Sequence, residues 1–289
     1  FQFSLIAGVI TLVVLAAAFP WLIRQSLRFR ARYSSYRGIH FSFIGGLAEI
    51  YLIAAPIILI VIPIALIGFY GRDEEAAEPP VLLTAFFGLA ILLYSVLLPY
   101  LHYRFKRYQH GNTLLGSTAA RFTARAGHFY AVYGILLLIL IGIIAVFAVV
   151  GFAAGAGVWS GGVDPSLFGV GFVIMIVLFY LAYLFWFAAF VALIQNRVWN
   201  HTQIGEVSFR SNVRVMRLAG IYLVNVLLLI VTLGLYTPFA VIRSLKYRLE
   251  SVTAVSPIGM DQFLGQASTG QVGAAGEGAA DLFDFDIGL

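Results

Sequence analysis

Five apolar stretches divide the chain, at roughly 3–23, 47–70, 81–103, 129–154 and 168–194. Each supplies about 20 or more residues, enough for a helix rising 1.5 Å per residue to cross a hydrocarbon core about 30 Å thick. The pattern predicts an all-α polytopic membrane protein with five spanning helices. Pro56 and Pro63 should kink the second. Gly142, Gly151, Gly155 and Gly157 mark the end of the fourth as a place of close helix contact or early fraying.

A sixth apolar segment, 218–243, has cations at both ends: Arg214 and Arg217 before it, Arg243, Lys246 and Arg248 after it. Its middle, Thr232-Leu233-Gly234-Leu235-Tyr236-Thr237-Pro238, contains the helix breakers Gly234 and Pro238. We read it as a re-entrant hairpin that enters and leaves on the cytoplasmic side, with a full crossing as the alternative. Domain organisation follows: a helical transmembrane domain over 1–249 and a Gly-rich, acidic cytoplasmic tail over 250–289. The tail closes on Asp281-Leu282-Phe283-Asp284-Phe285-Asp286-Ile287, a segment suited to solvent or to docking on the basic loops.

Charge orients the threading. The first, third and fifth connections are arginine-rich, whereas the second carries Asp73, Glu74, Glu75 and Glu78 and the fourth only Asp164. All 18 Lys and Arg except Arg72 then fall on one side, which the positive-inside rule makes cytoplasmic. Composition agrees: 61% of the 289 residues are hydrophobic and 11% charged, against about 25% charged in soluble domains. The net charge of +5 sits at the ends of apolar segments, so it suits anionic lipid and not nucleic acid. With no cysteine there are no disulfides or thiolate sites. Phe1 opens inside an apolar run without a signal-peptide pattern, which reads as a chain whose start lies upstream.

Self-comparison finds a recurring unit. Three helix exits carry Pro, an aromatic, then cations about one and two turns on: Pro20-Trp21 with Arg24 and Arg28, Pro99-Tyr100 with Arg104 and Arg107, and Pro238-Phe239 with Arg243 and Lys246. Polar turns leading to glycine recur as Ser34-Ser35 to Gly38, Asn112-Thr113 to Gly116 and His201-Thr202 to Gly205, each followed by a short alternating stretch. The unit predicts a helix exit, a basic stalk and a small cytoplasmic β-hairpin-like loop, built three or four times.

Asn225, Thr232-Leu233-Gly234, Tyr236, Pro238, Ala240 and Arg243 resemble the N-x6-TLG-x-Y-x-P-[WF]-A-x-x-R signature of the YjgN-like family. The segments 32–43, 111–116 and 198–209 and the closing 282–289 are similar to its other motifs. Phe239 stands where the family more often has Trp, and the additional N-terminal copy usual in the family is absent. The resemblance implies a bacterial inner-membrane location and supplies no activity or catalytic residue. A membrane metalloprotease as partner is a loose expectation from the same resemblance.

The chain offers little chemistry. His40, His102, His110, His128 and His201 make no metal-ligand spacing, and no nucleophile elbow, P-loop or carboxylate pair is present. Neither an enzyme nor a cofactor is expected. Glu49 reads as a helix-start carboxylate. Asn225 and Thr232 read as polar hairpin residues bonded within the protein. Arg24, Arg28, Arg104, Arg107, Arg243 and Lys246 are the candidate contacts for anionic lipid or a partner protein. The reading is a non-enzymatic membrane platform; the alternative is a transporter, channel or lipid-handling protein with a polar path through residues such as Asn225 and Thr84.

Overall fold

The computed structural model describes residues 5–56, 81–159, 168–257, 259 and 263–265. Seven helices are present among them: α1 (Leu5–Arg32), α2 (Leu47–Pro56), α3 (Val81–Gly111), α4 (Ala126–Trp159), α5 (Phe168–Trp199), α6 (Val215–Val231) and α7 (Thr237–Glu250). Seven strands intervene: β1 (Ser35–Tyr36), β2 (Ile39–Phe43), β3 (Thr113–Leu115), β4 (Thr118–Phe122), β5 (Thr202–Ile204), β6 (Val207–Ser211) and β7 (Val252–Val255).

This corrects the all-α, five- or six-span expectation in two ways. First, the short alternating stretches are not separate loops on a helical protein. They form one sheet in the order β1-β2-β3-β4-β5-β6-β7. Three hairpins join through ladders between them, with Phe41 opposite Leu115 and Ala120 opposite Ile204. A hairpin signal is local, whereas these ladders link residues about seventy or more positions apart, so periodicity alone cannot announce them.

Second, among the described residues three helices are long and apolar enough to cross a membrane: Thr84–Gly111, Ala126–Gly157 and Gly169–Trp199. Hydropathy counts apolar residues but not unbroken helix. Segment 218–243 is two helices joined by a turn, and α6 has only 17 residues, about 25 Å at 1.5 Å per residue, short of a 30 Å core. The stretch 47–70 is helical to Pro56; Pro63, the acidic connection at 72–78 and the closing acidic segment lie outside the described residues. Instead of fraying early, α4 continues through Gly142, Gly151, Gly155 and Gly157.

The hairpins have two-residue loops. Arg37 (φ 48°) and Gly38 (φ 82°) are both left-handed, the signature of a type I′ turn, whose twist matches that of the strands it joins. Each strand-bound helix ends on a side chain that takes the carbonyl four residues back. Ser34 Oγ donates to Arg30 O (2.7 Å), Asn112 Nδ2 to Tyr108 O (3.0 Å), Thr113 Oγ1 to Gln109 O (2.9 Å), His201 Nδ1 to Arg197 O (2.8 Å) and Ser251 Oγ to Tyr247 O (2.7 Å). At α1, α3 and α5 these bonds satisfy carbonyls that a helix end leaves open, while Tyr247 O also accepts from Ser251 N (3.1 Å).

Two compact units divide the chain: 1–126 with 202–208 and 256–289, and 127–201 with 209–255. The first has a core of Phe43, Ile50, Ile53 and Tyr108, flanked by Ile23, Leu27 and Phe105. Gly45 passes so close that a Cβ would stand 2.5 Å from the Phe43 ring and 2.7 Å from that of Tyr108. Its carbonyl accepts from Arg24 Nε (2.8 Å), and Tyr108 Oη donates to Gly46 O (3.1 Å). Phe263, buried, packs its ring beside Gly205.

In the second unit Ala188 and Ala192 of α5 let α6 approach, packing on Val213 and Leu218. The corner from β6 into α6 is held by Asn196, whose Oδ1 accepts from Ser211 Oγ and Val213 N (both 2.8 Å) while Nδ2 donates to Val213 O (3.0 Å). Gln195 grips α7 similarly: Oε1 accepts from Arg248 Nε (2.6 Å) and Nε2 donates to Arg248 O (2.8 Å).

Two outcomes follow for stability, read by denaturant titration in detergent. Gly205→Ala should cost clearly more than Gly38→Ala. Both need positive φ (55° and 82°), but only at Gly205 does the new Cβ meet a neighbour, Thr118 Cγ2 at 2.8 Å; Gly38→Ala bears the left-handed cost alone, about 1–2 kcal/mol. Equal losses would show that the Thr118 contact relaxes freely. Asn196→Leu should cost about 3 kcal/mol, because it strands the buried Ser211 hydroxyl and the Val213 peptide together; a loss below about 1 kcal/mol would mean water replaces the amide.

Candidate anion-binding site between two helices

The α6–α7 connection explains the Thr-Leu-Gly-x-Tyr-x-Pro pattern. Thr232 Oγ1 donates to Leu228 O (2.6 Å) and accepts from Tyr236 N (3.1 Å), bridging the end of one helix and the start of the next. Leu233 and Gly234 adopt φ 49° and 90°, so the chain reverses through two left-handed residues, one of which glycine occupies without strain. Thr237 Oγ1 donates to Gly234 O (2.6 Å), and Pro238 lies in the first turn of α7, where no amide hydrogen is required. The helices then pack along each other, and Asn225 Nδ2 donates to Ala240 O (3.1 Å). Asn225 Oδ1 is buried and has no partner among the described residues.

This reversal brings cations together. Arg217 of α6 and Arg243 and Lys246 of α7 line a cleft of about 570 Å³ between the two helices. Gly220, Ile221 and Val224 form its apolar wall. Nothing lies within 4 Å of the place a Cβ would take at Gly220, so the glycine keeps that wall open. Tyr247 is fixed by the Arg214 amide, which donates to its Oη (3.0 Å), and the Arg217 guanidinium sits 5.1 Å from its ring centroid. That cation–π contact orients the arginine without neutralising it. Glu250 meets Lys246 at 3.9 Å, with both side chains more than half exposed; such a pair is worth little in solvent. The cleft keeps a positive surplus.

The other predicted cations do different things. Arg24 holds the Gly45 carbonyl, a structural bond within the first unit. Arg28 is exposed. Arg104 reaches back one turn to Tyr100 Oη (3.3 Å) and Arg107 to Tyr103 Oη (3.5 Å). The Arg–Tyr spacing of four thus places each guanidinium beside an aromatic at the helix exit. Glu49 Oε2 accepts from Asn112 Nδ2 (3.4 Å), tying α2 to the end of α3. Thr84 returns its hydroxyl to Val81 O (2.9 Å).

Sequence reasoning missed Arg217, Gly220 and Tyr247 as parts of one site. Arg217 had the signal of a cation three residues before Gly220 at an apolar boundary, but its partner on α7 is visible only once the chain reverses at Gly234. Two histidines also meet: the rings of His128 and His201 lie 4.5 Å apart. No cluster of three or more His, Cys, Asp or Glu gathers among the described residues.

Neither the curated proteins nor the solved structures contain a match to the chain. The family match covers residues 1–282, almost the whole sequence, and the YjgN-like resemblance carried by Asn225 through Arg243 is another name for the same group. The chain belongs to the DUF898 family of bacterial proteins of unknown function.

Proposed function

We propose that this chain is a non-enzymatic protein of the bacterial inner membrane that binds anionic lipid headgroups, or an acidic partner protein, through basic helix ends facing the cytoplasm. The observation that carries the membrane reading is exposure. In the three long apolar helices, only 11%, 6% and 0% of the most apolar windows are buried by protein. Leu138 and Phe152 are 70% and 80% exposed. In water so continuous an apolar surface would drive association, whereas lipid tails solvate it without cost. In this reading the three helix-and-hairpin units are copies of one element, each delivering cations to the same membrane face.

The transport alternative required a polar path. Among the described residues, neither Thr84 nor Asn225 lines the α6–α7 cleft or a second cavity of about 650 Å³ between α4 and α5, and that cavity is lined by apolar residues such as Ile143, Phe147 and Leu178. That space suits an acyl chain and offers nothing to a polar solute.

Two measurements test the proposal. Alkaline carbonate washing should leave the protein in the membrane pellet; release into the supernatant would refute integral membrane residence. In reconstituted vesicles, electron spin resonance of spin-labelled lipids should report preference for phosphatidylglycerol over phosphatidylcholine at the protein surface. Joint Arg28→Gln, Arg104→Gln and Arg107→Gln should lower it, each cation contributing about 1 kcal/mol at most near an anionic surface. An unchanged preference would remove these residues from lipid binding.

A further inference from the structure

We infer that the α6–α7 cleft is a binding site for one anionic phospholipid, its phosphate held by Arg217, Arg243 and Lys246 and an acyl chain lying along α6. This rests on the membrane reading and adds the ligand class and its location.

Charge comes first. Three cations and one weakly engaged carboxylate line a single cleft, and the carboxylate meets its lysine only at 3.9 Å. Two guanidiniums and an ammonium suit a phosphate: arginine offers forked donors and lysine a compact point charge. Tyr247 keeps Arg217 in place before any ligand arrives, which lowers the entropy lost on binding.

Shape and polarity come second. Beyond Arg217 the α6 wall of the cleft is apolar, and it continues past the cleft. Gly220, Val224, Leu227 and Val231 recur at spacings of four, three and four, which place them on one face of α6. The last three are 37%, 53% and 78% exposed, so the stripe opens progressively toward the end of α6. From Gly220 to Val231 it measures about 16 Å at 1.5 Å per residue, close to half of a hydrocarbon core about 30 Å thick. A phosphate at one end and roughly one leaflet of apolar surface leading from it match a phospholipid. A free phosphate would use the cations and leave the stripe unexplained. An acidic peptide would need donors along the stripe, which its side chains do not offer.

Native mass spectrometry of the detergent-solubilised full chain, titrated with phosphatidylglycerol, phosphatidylcholine or inorganic phosphate, tests the site. The expected result is one retained phosphatidylglycerol per chain, weak phosphatidylcholine binding and no displacement by millimolar phosphate. Arg217→Gln, Arg243→Gln and Lys246→Gln should each weaken phosphatidylglycerol by roughly fivefold. Gly220→Leu, which changes no charge and enters open space, should weaken it too by filling the cleft. Circular dichroism melting checks that each variant is folded; Lys246→Arg, which keeps the charge, should retain binding and serves where a Gln variant melts early.

Equal binding of both lipids, affinities untouched by the four substitutions, or full competition by inorganic phosphate would each overturn the site. These outcomes leave the membrane reading standing if the protein still resists carbonate extraction. Release by carbonate together with retained, cleft-dependent phosphatidylglycerol would instead reject the membrane reading and keep the site.

Discussion

The structure depends on how its helices stop. A helix that ends where its chain must turn leaves carbonyls short of donors, and at each strand-bound end here one or two of them accept from a polar side chain four residues on: Ser34, Asn112 and Thr113, His201 and Ser251. The bond does more than satisfy one oxygen. It fixes the direction in which the next residues leave, and after α1, α3, α5 and α7 those residues are a strand. Without a defined exit, two-residue loops could not close the hairpins in register, and the ladders from β2 to β3 and from β4 to β5 would have nothing to align them.

The same economy governs the second unit. Its polar side chains Gln195 and Asn196 stand at the end of an apolar helix: Gln195 bonds the carbonyl and the guanidinium of Arg248, and Asn196 bonds the Ser211 hydroxyl and both backbone groups of Val213. The Asn196 amide, which donates to the carbonyl and accepts from the N–H of one residue, Val213, behaves like a short piece of strand. It sets the angle between β6 and α6, and thereby where α7 returns. The cleft lined by Arg217, Arg243 and Lys246 is a product of that angle and of the left-handed pair Leu233-Gly234. Asn225 ties the two helices by donating to Ala240 O, and its buried oxygen has no partner among the described residues.

Local chemistry was legible in the sequence. Gly38, Gly116 and Gly205 carry the positive φ that two-residue turns require, and the polar residues before them are the ones that cap the helices. Thr232, Gly234 and Pro238 each have a separate reason to be what they are. The family was legible too, because those reasons sit at fixed spacings. What could not be read depends on distant parts of the chain meeting. Phe41 gives no sign that it will lie opposite Leu115, and Arg217 reads as one more topological cation until α7 folds back beside it. The span number failed for a related reason. Apolarity is a property of composition, whereas crossing needs one long uninterrupted helix; of the five expected spans, 3–23 and 47–70 are not among the three described helices that qualify.

Strand order in the sheet is the same as order along the chain. No strand has to slip between two that are already paired; each hairpin adds to an edge left open by the one before. A ribosome can release such a chain in finished instalments, and the waiting edge is extended, never reopened. The long apolar helices between hairpins then act as delays, during which the exposed edge must stay unpaired with anything else. The brevity of these strands, two to five residues each, keeps that interval safe, since so few unpaired peptides make a poor template for a stranger.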